Sequence, residues 1–451
     1  MGSAMRRGDA LPEVCASWVP TLLSALCALL ALGAAGGAHA ASAAGIPPEI
    51  AGIRVEFLLF AATLLGIAFF HDRTLAIALA GLAAITAWKL MVTGFHEGPG
   101  LHGLAAHLRK EWVIVANLFG LLVGFAALSK HFEDSGVPGL LPRLLPDGWT
   151  GGLALLVVIF VLSAFLDNIA AALIGGTIAR SVFRGRVHIG YLAAIVAAAN
   201  AGGAGSVVGD TTTTMMWIAG VHPFDVLHAY IAALAALVVL GIPAARQQHR
   251  HSPIAADAAR DVRADWVRVF IVVVMLAAAI GTNVVMNLRF PAVISSFPWI
   301  GASVWVALVA CTPLRAPAWH VLPAAIKGSV FLLALVLCAS MMPVEELPVP
   351  SWRSALGLGV VSSVFDNIPL TKLALDQDGY DWGMLAYAVG FGGSMIWFGS
   401  SAGVAISSGF PEARSVGAWL RHGWHVVLGY FVGFAVLMLV SGWNPHPIAR
   451  G

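Results

Sequence analysis

The same pair of side chains occurs once in each half of the chain: Asp167-Asn168 within Leu166-Asp167-Asn168-Ile169, and Asp366-Asn367 within Phe365-Asp366-Asn367-Ile368. Both pairs sit in apolar segments, where a carboxylate costs roughly 2.5 to 3.5 kcal/mol even on lenient membrane-insertion scales. A chain that accepts this cost twice has a use for it, and the simplest use is to hold and release a cation or a proton. A third carboxylate, Asp210, opens the threonine run Thr211 to Thr214. A hard cation such as Na⁺ takes several oxygens, and the Asp210 carboxylate, the Thr211 and Thr212 hydroxyls and unwound backbone carbonyls would supply them. Asn168 and Asn367 add amide donors and carbonyl acceptors. In the second half the positions equivalent to the Asp210 site are Ser400 and Ser401, which are neutral, so the first half is the more acidic. The plain alternative makes each Asp and Asn a helix cap, worth about 1 kcal/mol. Capping alone recovers too little of the burial cost.

These residues need elements to hold them, and composition says which. Of 451 residues, 59% are hydrophobic and 11% charged, against about 25% charged in an ordinary soluble domain. The chain reads as an integral membrane protein whose partners are a lipid bilayer and a small ion. A net charge of +2 with no basic block offers nucleic acid nothing to bind. Cys15 and Cys27 lie in the leader, and Cys311 and Cys338 lie in apolar segments without metal-ligand spacing, so no disulfide framework, zinc site or other cofactor is implied.

Residues 1–44 read as a signal peptide, with Arg6 and Arg7, an apolar run and Ala38-His39-Ala40 before the cleavage point, or as an uncleaved N-terminal leader. Spans of roughly 20 apolar residues are expected near 53–70, 74–94, 111–129, 226–244, 266–288, 299–313, 320–341 and 424–441. The segments 151–179 and 352–375 carry Asp-Asn near their middle and read as re-entrant hairpins. The segments 189–219 and 383–410 are interrupted by Gly202-Gly203 and Gly392-Gly393 and read as helices broken at membrane depth.

The distribution of arginine supports the hairpins. With 151–179 and 352–375 treated as re-entrant, Arg73, Arg143, Arg180, Arg184, Arg186, Arg246, Arg250, Arg315, Arg414 and Arg421 all fall on one side, as the positive-inside rule requires. A full crossing would put the cluster from Arg180 to Arg186 outside. The expected fold is therefore an all-α integral membrane protein of two inverted repeats, 45–245 and 266–451, joined by a cytoplasmic linker at 246–265. Each repeat has three spans, a re-entrant hairpin, a broken helix and a final span, the architecture of secondary transporters. Gly202, Gly203 and Gly209 match Gly392, Gly393 and Gly399 at one constant offset.

At these residues the chain resembles the ion transporter superfamily and, within it, the NhaD-type sodium/proton antiporters. The matching stretches are Ser163-Ala164-Phe165-Leu166-Asp167-Asn168, Asn200-Ala201-Gly202-Gly203-Ala204, Gly209-Asp210-Thr211-Thr212-Thr213-Thr214-Met215-Met216-Trp217, Ser362-Ser363-Val364-Phe365-Asp366-Asn367-Ile368-Pro369-Leu370, and Gly392-Gly393-Ser394 through Gly399-Ser400-Ser401-Ala402-Gly403-Val404. The resemblance implies an elevator-like carrier, often a homodimer in this superfamily. Two departures stand out: Ala170, Ala171 and Ala172 replace the hydroxyl residues that usually follow the first Asp-Asn, and Lys372 follows the second. Lys372 would neutralise a carboxylate or meet an anionic substrate, which keeps open a related branch thought to carry citrate.

Three classes of function compete. A cation/proton antiporter of the inner (plasma) membrane, moving Na⁺ and H⁺, expects carboxylates at the midplane, with Na⁺ at Asp167, Asp210 and Asp366. A citrate or other carboxylate carrier expects donors there, such as Ser394, Ser400 and Lys372. A membrane aspartyl protease would pair two buried acids, but Asp210 follows Val207-Val208-Gly209 and lacks the Gly-x-Gly-Asp pattern. The motifs favour the antiporter and give no reason to expect an enzyme.

Overall fold

The structure is a computed structural model that describes residues 48–70, 73–254 and 263–448. The leader at 1–44 and the middle of the 246–265 linker lie outside the described residues. After a two-stranded ribbon, Glu49–Ile50 with Ile53–Arg54, come α1 (Val55–Phe69), α2 (Thr74–Trp88, prolonged by a π turn at Lys89–Thr93) and α3 (Gly100–Asp134). A hairpin of α4 (Trp149–Ser163) and α5 (Asn168–Val182) follows, then a broken helix of α6 (Ile189–Gly203) and α7 (Thr211–Ile218), then α8 (Ala229–His251).

The series then recurs. Helices α9 (Trp266–Arg289), α10 (Trp299–Cys311) and α11 (Leu322–Ser340) lead to a second hairpin of α12 (Trp352–Ser362) and α13 (Asn367–Gln377). A second broken helix of α14 (Trp382–Gly392) and α15 (Ser401–Gly409) follows, and after the short α16 (Val416–His422) comes α17 (Trp424–Ser441).

Among the described residues, six helices are long and apolar enough to cross a membrane: Thr74–Thr93, Gly100–Asp134, Pro223–His251, Trp266–Met286, Trp319–Ser340 and Trp424–Ser441. Two of the expected spans are shorter. Helix α1 has 15 residues and α10 has 13, where a straight crossing takes roughly 20. Helix α3 goes the other way: its 35 residues span roughly 52 Å, so the stretch before 111, which the hydropathy leaves as a loop, is helical too.

The helices sort into two groups. One contains α1, α2, α3, α9, α10 and α11; the other contains both hairpins, both broken helices, α8, α16 and α17. The seam between them runs where α13 packs on α11 and where α7 and α5 meet α3. At the centre of the second group lie α6 and α14. Every residue from Gly190 to Gly203 and from Trp382 to Gly392 is buried, as befits helices apolar on all sides.

The paired glycines explain how these cores close. A side chain at Gly202 would strike the backbone carbonyl of Phe160, and one at Gly392 that of Gly359, so each helix packs directly on a hairpin arm. The second glycine of each pair serves the break: a Cβ at Gly203 would lie 2.6 Å from the Gly209 carbonyl oxygen, and one at Gly393 2.7 Å from that of Gly399. Each pair therefore serves both the break and the close packing of its helix.

Candidate ion-binding site

The breaks in α6–α7 and α14–α15 turn polar groups toward each other inside the second helix group. Asp210 caps α7, its Oδ1 accepting from the Thr212 backbone N–H at 3.3 Å and from Asn168 Nδ2 at 3.2 Å. Asn168, the first residue of α5, also donates to Asn200 Oδ1 at 3.0 Å. Asn200 Nδ2 in turn donates to Ser394 Oγ at 2.9 Å and Ser400 Oγ at 3.2 Å. Ser400 caps α15 by accepting from the Gly403 N–H at 3.2 Å. One hydrogen-bonded chain thus connects the first hairpin tip, the first break and the second break. Asn200 and Ser394 are fully buried, and Asp210 is 1% exposed.

Asp366 caps α13, with Oδ1 accepting from the Ile368 N–H at 3.0 Å and Oδ2 from Ser401 Oγ at 3.1 Å. Asn367 is buried beside it. Asp167 precedes α5 without a side-chain cap bond and lines a cavity of about 330 Å³ with Thr211, Val208 and Ser329. Asp210 lies within electrostatic reach of both Asp167 and Asp366. Among the described residues, no three carboxylates, imidazoles or thiols converge closely enough to hold one metal ion. The three acids are separate poles around a shared centre.

The threonines divide sharply. Thr213 and Thr214 donate to the Asp210 carbonyl, each at 2.9 Å, and to the loop carbonyls of Ser206 and Val207; they brace the break. The Thr212 side chain, fully buried, lies within hydrogen-bonding reach of the Asp210 carboxylate, and Asp210 Oδ2 itself has no well-formed hydrogen bond. A buried carboxylate oxygen left open at a helix break is an exception to the rule that buried polar atoms are paired.

Lys372 is not directed at this centre. Its Nζ lies 2.9 Å from Glu111 Oε2 on α3 and 2.7 Å from Asp376 Oδ1 one turn along α13. The amine that would have met an anionic substrate is held by two carboxylates, across the seam between the helix groups. Above it lies a cavity of about 830 Å³ bordered by Arg54, Lys89, Glu97, His107 and Glu111. Neither Glu111 nor Asn200 is among the site residues expected from the motifs. Asn200 did carry a signal, as the one amide in an alanine- and glycine-rich buried helix.

Long apolar helices around a polar centre built at broken helices define an all-α, multi-pass membrane protein. No protein-family model matches the chain. It is 24% identical over 85% of its length to sodium/proton antiporter 1 of Arabidopsis thaliana, covering 72% of that protein. It is 27% identical over 63% of its length to the Na⁺/H⁺ antiporter NhaD of Vibrio parahaemolyticus, covering 78% of it, and 26% identical over 63% to NhaD of Alkalimonas amylolytica, covering 67%. The chain is a relative of the NhaD-type sodium/proton antiporters.

Proposed function

We propose that this protein is a secondary active transporter of the inner membrane that exchanges Na⁺ for H⁺ by alternating access. The observation that carries the reading is the buried Asp210 Oδ2, which has no well-formed hydrogen bond of its own, with the Thr212 side chain within reach of the same carboxylate. A carboxylate in that setting is neutral with a proton or with a cation, and one group that takes either but not both couples their fluxes. Asp167 and Thr211, on the 330 Å³ cavity, form the approach to it. Asn168, Asn200, Ser394 and Ser400 hold its other oxygen and the second break in register. Asp366 with Ser401 and Asn367 forms the opposite wall.

In this reading residues 45–245 and 266–451 are inverted repeats related by an axis in the bilayer plane. The two helix groups are its two bodies: the group holding the breaks carries the ion, and the group around α3 and α11 is the frame it moves against. In this reading the 330 Å³ cavity faces the cytoplasm, the side on which the arginine-rich loops fall. The Lys372–Glu111 pair then closes the opposite side, beneath the larger cavity.

Reconstituted protein supplies the test. An imposed Na⁺ gradient across proteoliposomes is expected to acidify or alkalinise the lumen according to its direction, with no uptake of labelled citrate. Citrate uptake without Na⁺-driven proton movement would replace this function with carboxylate transport.

A further inference from the structure

The two breaks contain matching pairs of residues whose chemistry differs. The offset that relates Gly202 to Gly392 also relates Asn200 to Gly390 and Asp210 to Ser400. Across the centre, Asn200 of the first half contacts Ser400 of the second, filling the space beside it with an amide 3.2 Å from the hydroxyl. The matching contact reaches from Gly390 of the second half to Asp210 of the first. A Cβ at Gly390 would lie 3.0 Å from Asp210 Oδ2, and the next neighbour, Ala204 Cβ, would be 3.9 Å away. Where one break receives a side chain, the other receives none.

Packing does not explain this glycine as it does Gly202 and Gly392. Those two would collide with backbone carbonyls, so a helix contact depends on each. At Gly390 the close atom is a carboxylate oxygen that has no hydrogen-bond partner, and Asp210 is 1% exposed. The missing side chain leaves room at the atom that most needs a counter-charge.

We infer that Gly390 sets the size of the space beside Asp210 Oδ2 in which the transported cation sits, and so selects among alkali cations. The inference rests on the antiport reading above and names the residue that tunes it. The ligand is a bare or nearly bare monovalent cation, bound by Asp210 Oδ2 with the Thr212 hydroxyl near the same carboxylate. Ala204 forms the opposing wall. A methyl group at residue 390 narrows the space and penalises Na⁺ more than the smaller Li⁺; removing the methyl of Ala204 widens it and relaxes discrimination against K⁺.

The test measures Na⁺-, Li⁺- and K⁺-driven proton exchange in proteoliposomes for wild type, Gly390→Ala, Ala204→Gly and Asp210→Asn. Gly390→Ala is expected to raise the half-saturating Na⁺ concentration by about tenfold, the discrimination a single methyl group supplies in a fitted pocket, with a smaller rise for Li⁺. Ala204→Gly is expected to shift preference toward the larger ions, and it decides the matter alone if Gly390→Ala does not fold. Unchanged cation ratios in the folded variants overturn the inference, even if overall rates fall. Asp210→Asn separates the two levels: if it still exchanges Na⁺ for H⁺, the antiport site itself is misplaced, whereas if it is inactive while the ratios stay fixed, only the role of Gly390 falls.

Discussion

The two broken helices share a backbone and differ in charge. In the first half, α6 is capped by His188, the break holds Asp210, and one oxygen of that carboxylate is left without a partner. In the second half, α14 is capped by Asp381 and the break holds Ser400, whose hydroxyl is engaged by Asn200 and Gly403. The caps differ in the same way. Asp381 Oδ1 lies 2.7 Å from His228 Nε2 and also accepts from the Met384 N–H, whereas His188 faces two other imidazoles, His422 and His251, with ring centroids 5.0 and 5.4 Å away. At the breaks themselves, the Ser400 hydroxyl is engaged and one oxygen of Asp210 is not.

The largest effect should come from Asp210→Asn, which keeps the shape and the Oδ1 contacts but removes the charge: proteoliposomes should lose Na⁺-driven proton exchange, while Ser400→Ala retains most of it. A swap would press the comparison harder. Asp210→Ser with Ser400→Asp places the acid in the break lined by the Asn200 amide, and measurable exchange from that double variant would show the halves to be interchangeable.

Lys372→Met leaves the buried Glu111 and the partly exposed Asp376 without their cation, and breaking a buried pair from one side typically costs about 3 to 5 kcal/mol. Thermal unfolding in detergent should show a marked drop, recovered in part by adding Glu111→Gln. Asn200→Ala should cost about 1 to 3 kcal/mol, since it strands the Asn168, Ser394 and Ser400 groups it now joins.

The smallest effect is at the caps. Burial, reinforced by His422 and His251, holds the His188 imidazole below its ordinary value. Its neutral form favours the fold, so the unfolded chain takes up the proton first as pH falls below about 6.5. Stability should therefore decline modestly on acidification through that window, and less so in His188→Gln.

Much of this was legible in the sequence because burial penalises charge so strongly. Asp167, Asp210 and Asp366 stood out in apolar segments, and the glycine pairs marked both breaks to within a turn. Helix α3 was not, because His107, Lys110 and Glu111 lower the hydropathy of a stretch that folds as helix against the larger cavity. The destination of Lys372 was not legible either: its partner Glu111 is far away in sequence, and only packing reveals it. Gly390 carried no signal by itself, since its significance lies in which atom approaches the space it leaves.

The central claim is that a proton and Na⁺ compete for the open oxygen of Asp210. The direct measurement adds NaCl to the purified protein in weakly buffered detergent and follows the pH, with choline chloride as the ionic-strength control. Saturable proton release on Na⁺ addition in wild type, absent from Asp210→Asn, is the result predicted; equal release from both proteins would contradict the claim.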